Sequence, residues 1–197
     1  DTVAAGDEVA LQTDDAATVG TLNFALTQVS FTASADAVTR WRSSQILFGT
    51  NNVTRYNTMA GGTSLEATEA DSSFRVKIAG LLKNAFVNVS ANLGASPVTM
   101  TGRINNQDTA LAISIPGSTT GLFEDATSTD TVAVDGLVNW RVTSGTDTRA
   151  TLEVWGIDFA TNNSKSYLIS SKSNVVGNLA TVFSYFGGGF SVDTTEN

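Results

Sequence analysis

Between Val98 and Gly121 the chain reads VTMTGRINNQDTALAISIPGSTTG, and apolar and polar positions alternate along it. Val98, Met100 and Ile104 alternate with Thr99, Thr101 and Arg103; Leu111, Ile113 and Ile115 resume the pattern after Asn105, Asn106, Gln107 and Asp108. Successive strand side chains point to opposite faces, so the two runs predict a β-hairpin with one buried face, turning through the four polar residues.

The same period governs most of the chain. Leu22, Phe24 and Leu26 alternate, and Val29 and Phe31 continue in the opposite phase, which predicts a bulge near Thr27 and Gln28 or a strand passing between sheets. Residues 45–56 predict two short strands about Gly49, Thr50 and Asn51, and the following MAGGTSLEATEADSS predicts a loop with a helical turn at Leu65 to Ala70. Phe74, Val76 and Ile78 alternate with Arg75 and Lys77, and Ala85, Val87, Val89 and Ala91 form the next strand. Val132 and Val134 are followed by Asp135-Gly136 and then by Val138, Trp140 and Val142, a hairpin signal that puts Trp140 in the core. In RATLEVWGIDFA, Leu152 and Val154 fall on one face and Trp155, Ile157 and Phe159 on the other, so both faces are expected to be covered, by a second layer or a partner subunit. SYLIS and ATVFSYF bring the total to roughly ten strands, with turn signals every 8 to 12 residues or so.

This pattern predicts an all-β protein: a single antiparallel β-sandwich of jelly-roll type over residues 21–197, preceded by an extended, acidic arm at 1–20. The length of 197 residues suits one such domain, and neither a linker nor an internal repeat divides the chain.

Composition narrows the chemistry. Histidine and cysteine are both absent, which removes Ser-His-Asp and Cys-His systems, His-ligated zinc or iron, thiolate metal sites and disulfides. No catalytic residue and no cofactor is assigned. Eleven Lys and Arg against nineteen Asp and Glu give a net charge of −8, so nucleic acid is not an expected partner. No apolar run reaches the roughly 18 residues of a membrane-spanning helix. An Asp at position 1 is what a removed leader, or a start inside the gene, would leave.

The span from Phe74 to Phe159, with Arg103 to Asn105, Asp108 to Leu111 and Val132 to Val138 as its recurring features, resembles β-sandwich domains encoded by tailed phages and environmental viruses. Its layout also resembles the jelly roll of the trimeric C1q and tumour-necrosis-factor group. The resemblance implies a structural, surface-displayed, often oligomeric domain, and it carries no catalytic residues.

The remaining candidates are side-chain groups. Two acids about 5 to 9 Å apart would make a His-free glycosidase, but among Glu66, Glu69, Glu124, Asp125, Glu153 and Asp158 no spacing favours a pair: Glu153 and Asp158, five apart, fall on opposite faces of a regular strand. Glu124, Asp125, Asp130 and Asp135 are loop acids of the type that holds calcium, without EF-hand spacing. Trp41, between Arg40 and Arg42, is the candidate ligand-stacking ring for a carbohydrate- or receptor-binding module. Trp155, Ile157, Phe159, Phe183, Tyr185, Phe186 and Phe190 are the candidate subunit-interface residues, since aromatic groups are enriched at interfaces. Asn52, Asn88 and Asn162 begin N-x-Ser/Thr triplets. The reading that fits best is a self-assembling structural subunit of a virion surface or extracellular filament. Its expected partners are copies of itself and other virion or filament proteins, with no nucleic acid and no membrane insertion.

Overall fold

The computed structural model describes residues 10–14, 21–22, 27–32, 38–49, 51–60, 65–161, 165–170, 176–177, 181–185 and 192–193, with side chains placed for 38–43, 47–49, 51–60 and 65–161. These residues are β-strand and connecting loop, with a single 3₁₀ turn at Glu69–Ser72. No helix among them is long and apolar enough to cross a membrane.

In chain order the strands are β1 (Ala10–Asp14), β2 (Thr21–Leu22), β3 (Thr27–Thr32), β4 (Val38–Phe48), β5 (Thr54–Asn57), β6 (Phe74–Arg75), β7 (Gly80–Asn92) and β8 (Val98–Ile104). They continue with β9 (Gln107–Ile115), β10 (Gly121–Val132), β11 (Leu137–Ser144), β12 (Ala150–Ala160), β13 (Lys165–Ser170), β14 (Val176–Gly177), β15 (Thr181–Tyr185) and β16 (Val192–Asp193). A four-stranded sheet runs β10-β7-β12-β4, and a five-stranded sheet runs β5-β11-β8-β9 with β6 also on β11. Every pairing is antiparallel. The inner faces of both sheets contribute to one buried apolar cluster, so the architecture is a β-sandwich.

The pairing is nested. β8 pairs with β9, β7 with β10, β5 and β6 with β11, and β4 with β12. Outside the sandwich the nesting goes on, β3 with β13, β2 with β14 and β1 with β15. Strands β1 to β15 are thus paired back about one turn, the tip of the β8–β9 hairpin. That hairpin is the one legible in the sequence, but its loop is two residues rather than four: Gln107 already pairs with Ile104 and Asp108 with Arg103. Asn105 and Asn106 take φ of 50° and 64°, the left-handed pair of a type I′ turn whose twist matches the strands it joins.

Two expectations are corrected. Asp135-Gly136 does not close a hairpin, because β10 and β11 lie in different sheets and the turn is a crossover between layers. Its backbone is held instead by Val76, whose carbonyl accepts from Asp135 N and whose N–H donates to Gly136 O. Nor do the two apolar phases of β12 fill two faces: of the residues named, Val154 alone turns to the outer face, where it is half-buried. Leu152, Trp155, Ile157 and Phe159 are all buried in the sandwich core, since the register against β7 shifts between Leu152 and Val154 and reverses the phase there. In the core the Trp41 ring stacks on Phe159 at 4.6 Å and meets Phe74 edge-on at 5.4 Å, and Trp140 is fully buried as expected.

The margins of the five-stranded sheet are closed from within the chain. Beyond β5, Tyr56 and Glu66 exchange both backbone hydrogen bonds at 2.9 and 2.8 Å. Beyond β9, Ala110 N donates to Asp130 Oδ2 at 2.8 Å and Ala112 N to Asp125 Oδ2 at 3.1 Å, so carboxylates of β10 cap amides that would otherwise invite another strand.

Candidate functional site

The outer face of the four-stranded sheet gathers the most unusual side chains of the sandwich. Residues directly opposite one another across strands share a face, so the register writes its rows. Arg42, Gly156, Phe86 and Glu124 form one row, and Arg40, Asp158, Lys83 and Thr129 the next. Val154, Asn88 and Leu122 lie on one side of these; Val38, Ala160, Leu81 and Thr131 lie on the other. A shallow cleft of about 200 Å³ opens in that last row, between Ala79, Gly80, Leu81, Thr131 and Ala160.

Gly156 is what lets this face be built as it is. A Cβ there would lie 2.1 Å from the Trp41 carbonyl oxygen and 2.9 Å from the Phe86 ring, so the phenyl fills the space a side chain would take. The Arg40 guanidinium stands over the same ring, 5.2 Å from its centroid. Arg40 then reaches Asp158 with two nitrogens, at 2.7 and 3.1 Å, and Asn84 Nδ2 donates to the same carboxylate at 3.0 Å. Asn84 has φ of 51° at a register shift between β7 and β12, the bulge conformation that aims its amide at Asp158. Burial acts to raise the Asp158 pKa, while the hydrogen bonds from Arg40 and Asn84, and the charges of Arg40 and Lys83, hold it below the ordinary carboxylate value. The result is a carboxylate kept ionised and nearly inaccessible on a face that otherwise looks outward. Around it stand Arg42, Lys83 and Glu124, and the exposed apolar side chains Leu122 and, at the end of the sheet, Leu47.

A second ionic group lies on the outside of the other sheet. The buried Arg103 donates to Glu69, Asp108 and the Asn106 carbonyl, and Arg141 reaches Asp108 at 2.7 Å. Asn139 donates to Ser72 Oγ at 3.3 Å. These contacts fasten the 3₁₀ turn onto β8 and β11, so every charge in the group has a structural partner.

The residues singled out from sequence are mostly dispersed. Trp41, expected at the surface, is 1% exposed, because β4 turns its odd positions Thr39, Trp41 and Ser43 inward and its flanking arginines outward. It offers no ring to a sugar. Trp155, Ile157 and Phe159, expected at a subunit interface, are equally enclosed. The side chains of Phe183 and Tyr185, and all of Phe186, Phe190 and Asn162, lie outside the described residues. The four calcium candidates do not converge: Asp125 and Asp130 cap β9, Asp135 pairs with Lys77, and Glu124 lies on the outer face near Arg40. No group of three metal-ligating acids occurs among the described residues.

A bulge sets the geometry of Asp125. The β10–β7 register breaks between Asp125 and Thr129, and within the break Thr127 N and Ser128 N donate to Asp125 Oδ1 at 3.3 and 3.0 Å. Burial works to raise its pKa, but these bonds and that from Ala112 outweigh it and lower the carboxyl from 3.8 to about 2. The Arg40–Asp158–Phe86 arrangement was missed from sequence; its only trace there is a glycine, Gly156, at an outward position of an otherwise bulky strand.

No family model, no curated protein and no solved structure matches this chain.

Proposed function

We propose that this chain is a structural subunit, not an enzyme, that assembles with copies of itself on a virion surface or in an extracellular filament. The nested strand order of the sandwich, first with last and inward to the central hairpin, is the order in which a long antiparallel hairpin wraps into a jelly roll. That agrees with the resemblance to particle-surface domains.

The observation that carries the reading is the continuation of the pairing past the sandwich. After Val38 opposite Ala160, the described strands keep the same order of pairing, with Thr32 opposite Lys165, Leu22 opposite Val176 and Ala10 opposite Tyr185. Among the described residues, the strands of the two ends thus pair with each other, β3 with β13, β2 with β14 and β1 with β15, and β15 also carries β16. The two-stranded pairs β3–β13 and β2–β14 are marginal by themselves in water, and unpaired backbone groups at their margins are a template for strand addition. The five-stranded sheet, capped on both margins within the chain, is a poorer place for such addition.

Sedimentation of the purified chain over a concentration series, followed by electron microscopy, tests the proposal. Concentration-dependent species that form regular particles or fibres are expected; one protomer mass up to the highest concentration overturns it.

A further inference from the structure

We propose that the outer face of the four-stranded sheet packs against the same face of a second copy, about a two-fold axis running close to the strand direction, with Arg42 of each copy opposite Glu124 of the other. This deepens the assembly reading and rests on it.

The face is open and large enough. Arg40, Arg42 and Leu47 on β4, Ala91 on β7, Glu153 on β12, and Leu122, Glu124 and Thr129 on β10 are all exposed, with Leu47 at 75% and Leu122 at 59%. Its four strands are eleven to thirteen residues long. At about 4.8 Å between strands and about 3.3 Å per residue they offer about 700 Å². A pair of such faces buries about 1,400 Å², within the range of specific protein interfaces.

The order of charge across the strands selects the partner and the axis. In the row Arg42, Gly156, Phe86, Glu124 the cation stands on one margin of the sheet and the anion on the other. A two-fold axis in the plane of contact, between β7 and β12, lays β4 of one copy on β10 of the other and β12 on β7. Arg42 then meets Glu124 of the second copy, and the contact occurs twice. In the next row Arg40 meets Thr129, and Asp158 lies opposite Lys83. Glu153 falls on β7 between Asn88 and Ser90. Arg40, Arg42 and Lys83 against Asp158, Glu124 and Glu153 are the charged groups of this face among the described residues, so the contact is neutral and no two of like sign meet. An axis across the strands would instead lay β4 on β4 and set Arg40 and Arg42 against their own counterparts. With the axis along the strands the two sheets also pack aligned, a usual arrangement for sheets face to face. A contact of one patch with its own copy is the isologous kind that closes a dimer.

The centre of the face is aromatic. A Cβ at Gly156 would lie 2.9 Å from the Phe86 ring, so the half-buried phenyl leans over the seam between β7 and β12, where the axis runs. The two phenyls therefore meet at the middle of the contact, with Arg42 and Glu124 at its margins. An aromatic centre inside a polar rim is the layout of a specific interface.

The test is sedimentation of the full chain and of R42E, E124R and R42E/E124R, with circular dichroism and thermal unfolding to establish that each is folded. Wild type is expected to associate as concentration rises. R42E and E124R are each expected to weaken that association at least tenfold, because one substitution sets like charges together at two places. R42E/E124R is expected to regain it, and so is an equimolar mixture of R42E and E124R chains, in which unlike copies pair. A wild type that never associates overturns the assembly reading and this inference with it. A wild type that assembles, alongside a folded R42E or E124R that assembles equally well, overturns this face as the contact and leaves the assembly reading standing. Loss in both single variants, with no recovery in the double variant or in the mixture, overturns the two-fold register.

Discussion

Gly156 and the groups it admits show how one position constrains a whole face. A Cβ at 2.1 Å from a backbone oxygen cannot be relieved by a side-chain rotation; β4 and β12 must separate. Gly156→Ala is expected to cost about 1–3 kcal/mol, a fall in Tm of roughly 2–4 °C per kcal/mol for a chain of this size. Thermal unfolding checks it, and an unchanged Tm would mean the two strands yield freely. Asp125 gives a pH prediction. Its folded pKa of about 2 lies below its ordinary 3.8, so its stabilisation is complete above about 4 and is lost as pH falls through about 2. In Asp125→Asn that dependence disappears, so the stability gap between wild type and variant narrows between pH 4 and pH 2 or thereabouts. Denaturant melts across that range measure it, and a constant gap would show that the carboxylate does not titrate as its hydrogen bonds require.

At the scale of elements, the five-stranded sheet illustrates how edges are blunted without proline or lysine. β10 bulges at Asp125 and turns two carboxylates toward β9, covering the Ala110 and Ala112 amides. In an Asp125→Ala/Asp130→Ala chain, exchange at those two amides is expected to accelerate roughly five- to tenfold, on the basis of about 1 kcal/mol per hydrogen bond lost. Exchange read residue by residue by NMR decides it, and unchanged protection at Ala110 and Ala112 would assign the cover to something else. Strand β12 shows what an element hides from sequence reading. Its apolar residues fall in two phases, which by alternation means two buried faces. A register shift near Glu153 instead reverses the phase, so Leu152 enters the same core as Trp155, Ile157 and Phe159 while Val154 turns to the outer face. Bulges are set by how neighbouring strands match in length and twist, so a single strand's sequence does not disclose them.

At the scale of the molecule, the described strands of the two ends depend on each other. β1, β2 and β3 find their partners in β15, β14 and β13. Removing residues 1–20, and β1 with them, is therefore expected to expose the C-terminal segment from about Thr181 onward to proteolysis, although it lies more than 150 residues away in sequence. Limited proteolysis read by mass spectrometry checks this; equal resistance in the shortened chain would show that the terminal strands are held by something other than each other.

Alternation with a period of two, frequent turn residues and no helical period determined by themselves that this protein is all β and layered. They also located the β8–β9 hairpin and the buried Trp140, because local backbone geometry fixes which side each residue faces. The missing histidine and cysteine likewise follow from composition and need no fold. Only the tertiary structure decided which strands share a sheet, and hence that Asp135-Gly136 is a crossover. It also decided that Trp41 faces inward while Arg40 and Arg42 face out, and that Arg40, Asn84, Phe86 and Asp158 meet across Gly156. Those outcomes depend on register between strands far apart in the chain, which is settled by packing two sheets against each other and is written in no single segment.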